Sequence, residues 1–530
     1  GALWKSWGLA LAGVAGPELE IVNDRATNVV LIGLDLQADA ATVRRVAVYG
    51  FGWDTLAQDG NIRVGVNGGG TGFTAALIEQ NVIGAPAGSI TDPAGNRSSV
   101  NNICVFDADG GTIQNNVIAF ADRFGIFLSD NAAGWTVTQN EIRENALGND
   151  RQDGLDIGNG SSGALVTQNL FANNDGGGLD SWQGAGGNTI ENNTFLNNGI
   201  GGTEPAAMRI FGTANTIRLN RFEDNVGPGV LVIGDIGAVG TPSAQNRIST
   251  NSFSSNGTIA IDWIAAGGNA DIGDGVSLND GLTPATSGNI GLDYPVLGAA
   301  SLNAGTTTVT GTACASCEIE VYRAIADGDG SDTSGGSDYG EGVTYLDTTT
   351  ADGSGNWSVA VTGLVDGDAV SAVAIDGSGN TSEFAANVTV ITGPPWYDGS
   401  WPYRDDLVLP GSSFCATVNG FPVPVVVSGN AGLQSFAQAD GDDILFTLAD
   451  GVTKVPHEIE AFTQAGGDLV AWVKLDIVAG VDQTIYMYYG NAAAANQEDL
   501  ANLWDANFRG VWHLNDNLLD SAGSNDGTNF

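Results

Sequence analysis

An aliphatic residue, two spacers, Asn, one spacer and then Ile or Phe form a pattern that recurs seven times between Ile78 and Phe253. It reads Ile78-Asn81-Ile83, Ile113-Asn116-Ile118, Val137-Asn140-Ile142, Val166-Asn169-Phe171, Ile190-Asn193-Phe195, Ile217-Asn220-Phe222 and Ile248-Asn251-Phe253. Successive motif asparagines stand 24 to 35 residues apart. Internal repetition at this period predicts a stack of similar coils. Each unit reads as a short alternating strand, the Asn, Gly-rich residues and a second alternating strand. The second strands include Gly125–Leu128, Gly154–Ile157, Gly178–Asp180, Met208–Ile210 and Gly229–Val232. Strands this short close no core singly. Stacked in parallel at about 4.8 Å, they bury a continuous column of Ile, Val, Leu and Phe.

The motif Asn suits a turn because it tolerates the left-handed conformation, and stacked amides can bond from coil to coil. A second Asn follows the aromatic or aliphatic position by three residues, at Asn145, Asn174, Asn198, Asn225 and Asn256. A helical stack accounts for both columns, whereas a ligand-binding role would leave their periodicity unexplained. The units from Leu31 to Leu297 resemble the right-handed parallel β-helix repeats of pectin lyases, of copper-chaperone-like periplasmic proteins and of many bacterial surface proteins. The closing stretch Asp271–Gly281, followed by Asp293-Tyr294-Pro295-Val296-Leu297, resembles the end of such helices where they pass into an immunoglobulin-like domain.

From Ser301 the strands lengthen and are separated by turns: Thr306–Gly311, Glu318–Ala324, Tyr345–Thr349, Trp357–Val361 and Ala369–Ile375. This is an antiparallel sandwich pattern. Asp352–Trp357 and Asp376–Phe384 resemble bacterial immunoglobulin-like repeats. Gly393-Pro394-Pro395-Trp396 reads as a linker. The β region from Trp401 to Asn491 resembles a bacterial domain of unknown function that precedes lectin-like modules. Gly510–Asp516 with Asp520–Gly523 resembles the opening of a concanavalin-like or laminin-G-like jelly roll, which implies a polypeptide continuing past Phe530. The expected organisation is all-β: a right-handed parallel β-helix over 1–297, an immunoglobulin-like β-sandwich over 298–393, a further β-rich domain over 394–500, and the start of a lectin-type module over 501–530.

Composition narrows the partners. The net charge is −43 and the lysines are Lys5, Lys454 and Lys474, which excludes nucleic acid and anionic membrane surfaces as partners. No apolar run reaches the length of a membrane span. The acidity fits an extracellular or cell-surface protein, and it also keeps a long Gly-rich solenoid soluble. Cys314-Ala315-Ser316-Cys317 has no second pair and no nearby His to complete a zinc site, so a local disulfide in an exported protein is expected. Cys104 and Cys415 are expected to be buried thiols.

Candidate chemistry lies in two places. Aligning the second strands puts Phe127, Asp156, Asp180, Arg209 and Leu231 in one column, with their neighbours pointing inward. Asp156 and Asp180 then lie one strand spacing apart, close enough to share a proton, to serve as acid and nucleophile, or to hold a cation. Trp182 is placed to stack on a sugar. The bland alternative is that Arg209 neutralises a surface Asp ladder. The signature motifs of polygalacturonases are absent, and the β-helix holds no His. The second place is a set of acidic loops, Asp271, Asp274, Asn279 and Asp280 at the end of the helix and Asp327, Asp329, Asp332 and Asp338 in a Gly/Ser loop, whose hard oxygens suit calcium. The alternative for each is a solvated loop.

The leading reading is a structural or adhesive extracellular protein that binds a polysaccharide or cell-surface glycan without catalysis. The rival is a polysaccharide lyase or glycoside hydrolase acting at Asp156, Asp180 and Arg209. A solenoid with open end coils is also expected to self-associate, into an oligomer or filament.

Overall fold

The computed structural model describes residues 2–6, 10–11, 14–15, 19–23, 31–52, 59–66, 72–148, 151–182, 184–235, 243–303, 305–325, 333–334, 336–393, 396–398, 400–514 and 518–528. The chain forms two compact units, Gly1–Ile391 and Thr392–Phe530.

The first unit opens with a parallel β-helix. Among the described residues its strands form three sheets of ten, eight and nine strands. Each repeat contributes three strands, as in Thr112–Gln114, Val117–Ala119 and Ile126–Ser129. Alternation alone suggests two, because the first pair is separated by only Asn115 and Asn116 and reads as one segment. The registers are continuous. Ile78, Ile113, Val137, Val166, Ile190, Ile217 and Ile248 pair in succession on one face. Ile83, Ile118, Ile142, Phe171, Phe195, Phe222 and Phe253 do so on the next. The four phenylalanines stack with ring centroids 4.7, 4.8 and 5.0 Å apart, so the strand spacing is also the aromatic spacing.

The asparagines do not themselves take up the left-handed turn. That conformation falls one residue earlier, at Gln80, Asn115, Gln139, Gln168, Asn192, Leu219 and Thr250, with φ between 53° and 58°. The Asn side chain instead works between coils. Asn169 donates from both its backbone N (2.9 Å) and its Nδ2 (3.0 Å) to Oδ1 of Asn193. Asn193 repeats the pair on Asn220 at 3.0 and 3.0 Å, and Asn220 on Asn251 at 2.9 and 3.1 Å. The column Asn145, Asn174, Asn198, Asn225 and Asn256 is linked in the same way by its side chains. A third column, Asn188, Asn215, Asn246 and Asn289, joins them; its spacing carries no aromatic marker in the sequence. At each corner the amide satisfies a backbone N–H that turns away from the strand ladders.

The far end of the helix is closed, contrary to the expectation of an open coil. An antiparallel domain follows, with strand order Gly342–Thr350, Glu318–Ala324, Ala369–Ile375, Val388–Thr392, Val296–Asn303, Thr306–Thr312 and Asn356–Thr362. Its side chains take over the bonding of the next coil. Thr381 Oγ1 accepts Ile248 N at 2.9 Å, Glu320 Oε2 accepts Thr250 N at 2.8 Å, and Glu341 Oε1 accepts both Asn256 N at 2.9 Å and Asn256 Nδ2 at 2.7 Å. Phe384 covers the aromatic stack, edge-on to Phe253 at 5.8 Å. Glu383 accepts Trp263 N at 3.2 Å and Ser277 N at 2.8 Å. Among the described residues the antiparallel domain thus covers the last coil. Asp262 lies beside Glu383 in this junction. Burial and the neighbouring Asp274 push its carboxyl up to about 8, and burial with Asp262 raises Glu383 as well.

Cys314 and Cys317 are joined as a disulfide in the turn before Glu318–Ala324. Cys104 is buried, whereas Cys415 is exposed, because it falls in the irregular loop between Tyr403–Leu409 and Val418–Val427. The second unit holds a four-stranded and a three-stranded antiparallel sheet around Phe446, Leu469, Val473 and Met487. After the short helix Leu500–Leu503 the described residues form no strand.

Two outcomes follow from this bonding. Asn193→Ala removes the acceptor of Asn169 and the donor to Val166 and Asn220. It should cost roughly 2–5 kcal/mol, as several buried polar groups lose partners. Amide exchange at Asn169 should quicken, and unchanged exchange there would contradict the ladder. Stability of the full chain should fall as pH rises from about 4 through about 8. The buried carboxyl of Asp262 holds its proton only in the folded state, so the stability it supplies is present below the unfolded pKa and lost above the folded one. Asp262→Asn should flatten the melting-temperature profile over that range; a variant with the same slope would refute the assignment.

Candidate functional site

The third sheet carries the column foreseen from the alternation. Phe127, Asp156, Asp180, Arg209, Leu231 and Asp262 pair in succession on adjacent strands. Their inward neighbours Leu155, Leu179, Met208 and Val230 fill the core. The column points away from that core, but it is not a surface ladder. Asp156 is 7% exposed, Asp180 1% and Arg209 3%. Loops that follow or precede the strands fold over it and carry Phe124, Asp153, Glu204, Ala206 and Phe211, all buried. Period-two alternation reports the side of a strand and not what later segments lay over that side.

Arg209 sits at the centre. Its Nη2 meets Asp180 Oδ2 at 2.5 Å and Glu204 Oε2 at 2.8 Å. Its guanidinium lies over Phe211, 5.5 Å from the ring centroid. Arg151 Nη2 pairs with Asp271 Oδ2 at 2.6 Å, and its Nη1 is 3.8 Å from Glu204 Oε1. Arg123 Nη2 donates to Gln152 Oε1 at 3.0 Å. Arg123, Arg151, Gln152, Asp156, Asp180, Glu204 and Arg209 line a pocket of about 320 Å³ with Phe124, Phe127, Asp153, Asn159 and Trp182. Trp182 is half-buried and rests on Phe211 with centroids 4.2 Å apart.

Burial sets the charge states. It pushes Asp153 and Asp156 well above the usual carboxylate range, with the Asp180 charge adding to the rise and Arg209 opposing it. Asp180 is also raised by burial, but the charge and hydrogen bond of Arg209 pull it back. Burial raises Glu204 to about 7. Burial works against the Arg209 charge, yet Asp180, Asp153 and Glu204 more than offset it. One guanidinium thus favours the ionised form of its nearest partner, while burial favours the protonated forms of the neighbouring acids. Buried Oδ1 atoms of Asp153, Asp156 and Asp180 have no hydrogen-bond partner. Such groups are costly in a folded protein and mark a site that a ligand can complete.

Asp153 and Glu204 were not foreseen. They stand in loops with no periodic marker, and only the fold brings them to Asp156 and Asp180. The acidic residues at the end of the helix have separate engagements. Asp271 pairs with Arg151. Asp274 lies against Asp262. Asn279 brackets Tyr294, accepting its N at 2.9 Å and donating to its O at 2.8 Å. Asp280 accepts Leu282 N at 2.7 Å. Asp327, Asp329 and Asp332 lie outside the described residues, and Asp338 pairs with Thr333 in a two-stranded ladder. Among the described residues no group of three or more acidic, His or Cys side chains is arranged to hold a metal ion. No described helix is long and apolar enough to cross a membrane.

Comparison with known proteins supports the winding of the chain. A family described as "Right handed beta helix region" matches residues 76–195 and 101–289, and "Domain of unknown function (DUF2341)" matches 440–511. No curated protein matches. Among solved structures, the chain resembles the Azotobacter vinelandii mannuronan C-5 epimerase AlgE6 A-module at 17% identity, covering 43% of this chain and 55% of that one, with a TM-score of 0.32. It resembles ORF18 of Geobacillus virus E2 at 13% identity, covering 69% and 70%, with a TM-score of 0.30. It resembles the DFA-IIIase of Arthrobacter chlorophenolicus A6, in complex with DFA-III, at 15% identity, covering 40% and 61%, with a TM-score of 0.24. The chain spans about half the length of the epimerase module, and likenesses at this level say nothing of activity. The first unit contains a right-handed parallel β-helix region, and the chain is all-β.

Proposed function

We propose that this chain is an extracellular protein that cleaves a polysaccharide by acid–base chemistry in the pocket on the third sheet. One observation carries the reading: two carboxyls on adjacent strands in register, Asp156 and Asp180, lie in one pocket, and only Asp180 bonds the Arg209 guanidinium. Pairs of acids whose environments push them apart divide the acid and base roles. Asp156 has its proton retained by burial and serves as general acid to the departing glycosidic oxygen. Asp180, bonded to Arg209, is the carboxylate. Side chains in register on neighbouring strands, whose backbones stand about 4.8 Å apart, suit the close carboxyl pair of a retaining glycosidase. Asp180 then attacks the anomeric carbon as the bond to the oxygen breaks. Asp156, now a carboxylate, takes a proton from water that releases the sugar from Asp180. The aromatic walls Phe124, Phe127 and Trp182 suit the C–H face of a sugar ring, and the pocket volume falls at the small end of ligand sites.

A second reading, a structural or adhesive protein without catalysis, is favoured by the closure of the helix by the antiparallel domain and by the further β unit after it in the chain. In that reading Arg209 only neutralises the buried acids. Incubation with a panel of polysaccharides separates the two. Steady release of oligosaccharides is expected, and Asp156→Asn and Asp180→Asn should each lower kcat by about 10²- to 10⁴-fold, the usual worth of a positioned acid or base. Activity should decline on the alkaline side as Asp156 loses its proton. No product from any polymer would leave the adhesive reading in place.

A further inference from the structure

The pocket has an unequal supply of hydrogen-bonding groups. On the acceptor side, buried oxygens of Asp153, Asp156 and Asp180 lack partners, and these side chains are 1%, 7% and 1% exposed. On the donor side, each guanidinium in the lining already faces a partner. Arg209 meets Asp180 and Glu204, Arg151 meets Asp271 and Glu204, and Arg123 meets Gln152. The amides are also engaged: Gln152 Nε2 donates to Arg151 O at 2.6 Å and Asn159 Nδ2 to Ser129 Oγ at 2.8 Å. What remains is the Trp182 indole at the rim, the buried Nε of Arg209, which has no partner, and the protons that burial favours on Asp153 and Asp156. Four carboxyls, Asp153, Asp156, Asp180 and Glu204, stand against three arginines, and Arg151 is shared with Asp271 outside the lining.

We propose that this pocket selects saccharides that present hydrogen-bond donors, neutral or amine-bearing, and rejects uronates. The proposal rests on the reading of the pocket as a saccharide site and adds its substrate class. A sugar hydroxyl or ammonium group gives the orphaned oxygens of Asp153, Asp156 and Asp180 the partners they lack, which removes the cost of leaving them bare. A uronate carboxylate offers only acceptors at those positions. It also brings a further negative charge into a buried site whose guanidiniums are already paired, and a buried charge without a free partner is costly. A site built to bond a group rejects an analogue that lacks it, because its own buried polar atoms are then left unpaired. The wall of Phe124, Phe127 and Trp182 is indifferent to this distinction, since it touches the C–H face common to both kinds of sugar.

The test is calorimetric titration of the full chain with matched oligosaccharides on gluco, manno and galacto backbones, each in neutral, 2-amino and 6-carboxylate form. A chelator is present throughout, so that no divalent cation bridges a uronate to the acids. On any backbone that binds, the neutral or amino form should bind about 100-fold more tightly than the uronate. A uronate that binds as well as its neutral counterpart would overturn the proposed selectivity while leaving the saccharide site standing. Failure of every oligosaccharide to bind would bring down the saccharide reading itself, and the selectivity with it.

Discussion

A stack of parallel coils must satisfy the backbone N–H groups at its corners, where the chain leaves one sheet and has no strand ladder to join. In this protein the side-chain amide of Asn does that work. One Oδ1 accepts from the backbone and the side chain of the Asn in the preceding coil, and the Nδ2 passes the bond on. The arrangement fixes the rotational register of every coil on its neighbour. A slip by one residue would turn the Asn column out of the corner and the Ile and Phe columns out of the core. The alignment of Asp156, Asp180 and Arg209 on adjacent strands is set by the third sheet's own ladder, whose inward Leu155, Leu179 and Met208 pair in register.

The same constraint explains the end of the helix. A last coil has the donors of its predecessors but no successor to receive them. The antiparallel domain supplies acceptors from separate strands and turns, with Glu341 standing where another Asn would be and Phe384 where another Phe would be. Carboxylates are apt replacements because each ionised oxygen accepts more than one bond, as Glu341 does from Asn256. The helix and this domain therefore form one compact unit.

Burial of acids is the common thread between the junction and the pocket. In both, a carboxyl on the third sheet is covered by a loop that brings a second acid, Asp274 to Asp262 and Glu204 to Asp180. The two differ in the presence of a guanidinium. At the junction backbone N–H groups alone oppose the charge. In the pocket burial raises every acid, and Arg209 opposes that rise most directly at Asp180, which it bonds. That difference separates the pocket, where a guanidinium sits among the acids, from the junction, where backbone N–H groups oppose the rise.

The sequence by itself determined the β-helix, because a period-two strand, a corner amide and a stacked apolar position must repeat in order for the coil to close. The seven Ile/Val–Asn–Ile/Phe motifs carry all three. It also determined that Asp156, Asp180 and Arg209 share a column, since each follows the first inward apolar residue of its strand, Leu155, Leu179 and Met208. The left-handed residue escaped it, because the conformation belongs to Gln139 or Leu219, residues that announce no turn, while the Asn beside them is occupied with the next coil. The burial of the column, the arrival of Asp153 and Glu204, and the exposure of Cys415 were decided by tertiary structure alone. Each depends on where an aperiodic loop comes to rest, and a loop's path is set by the surfaces it meets and not by a pattern along its own residues.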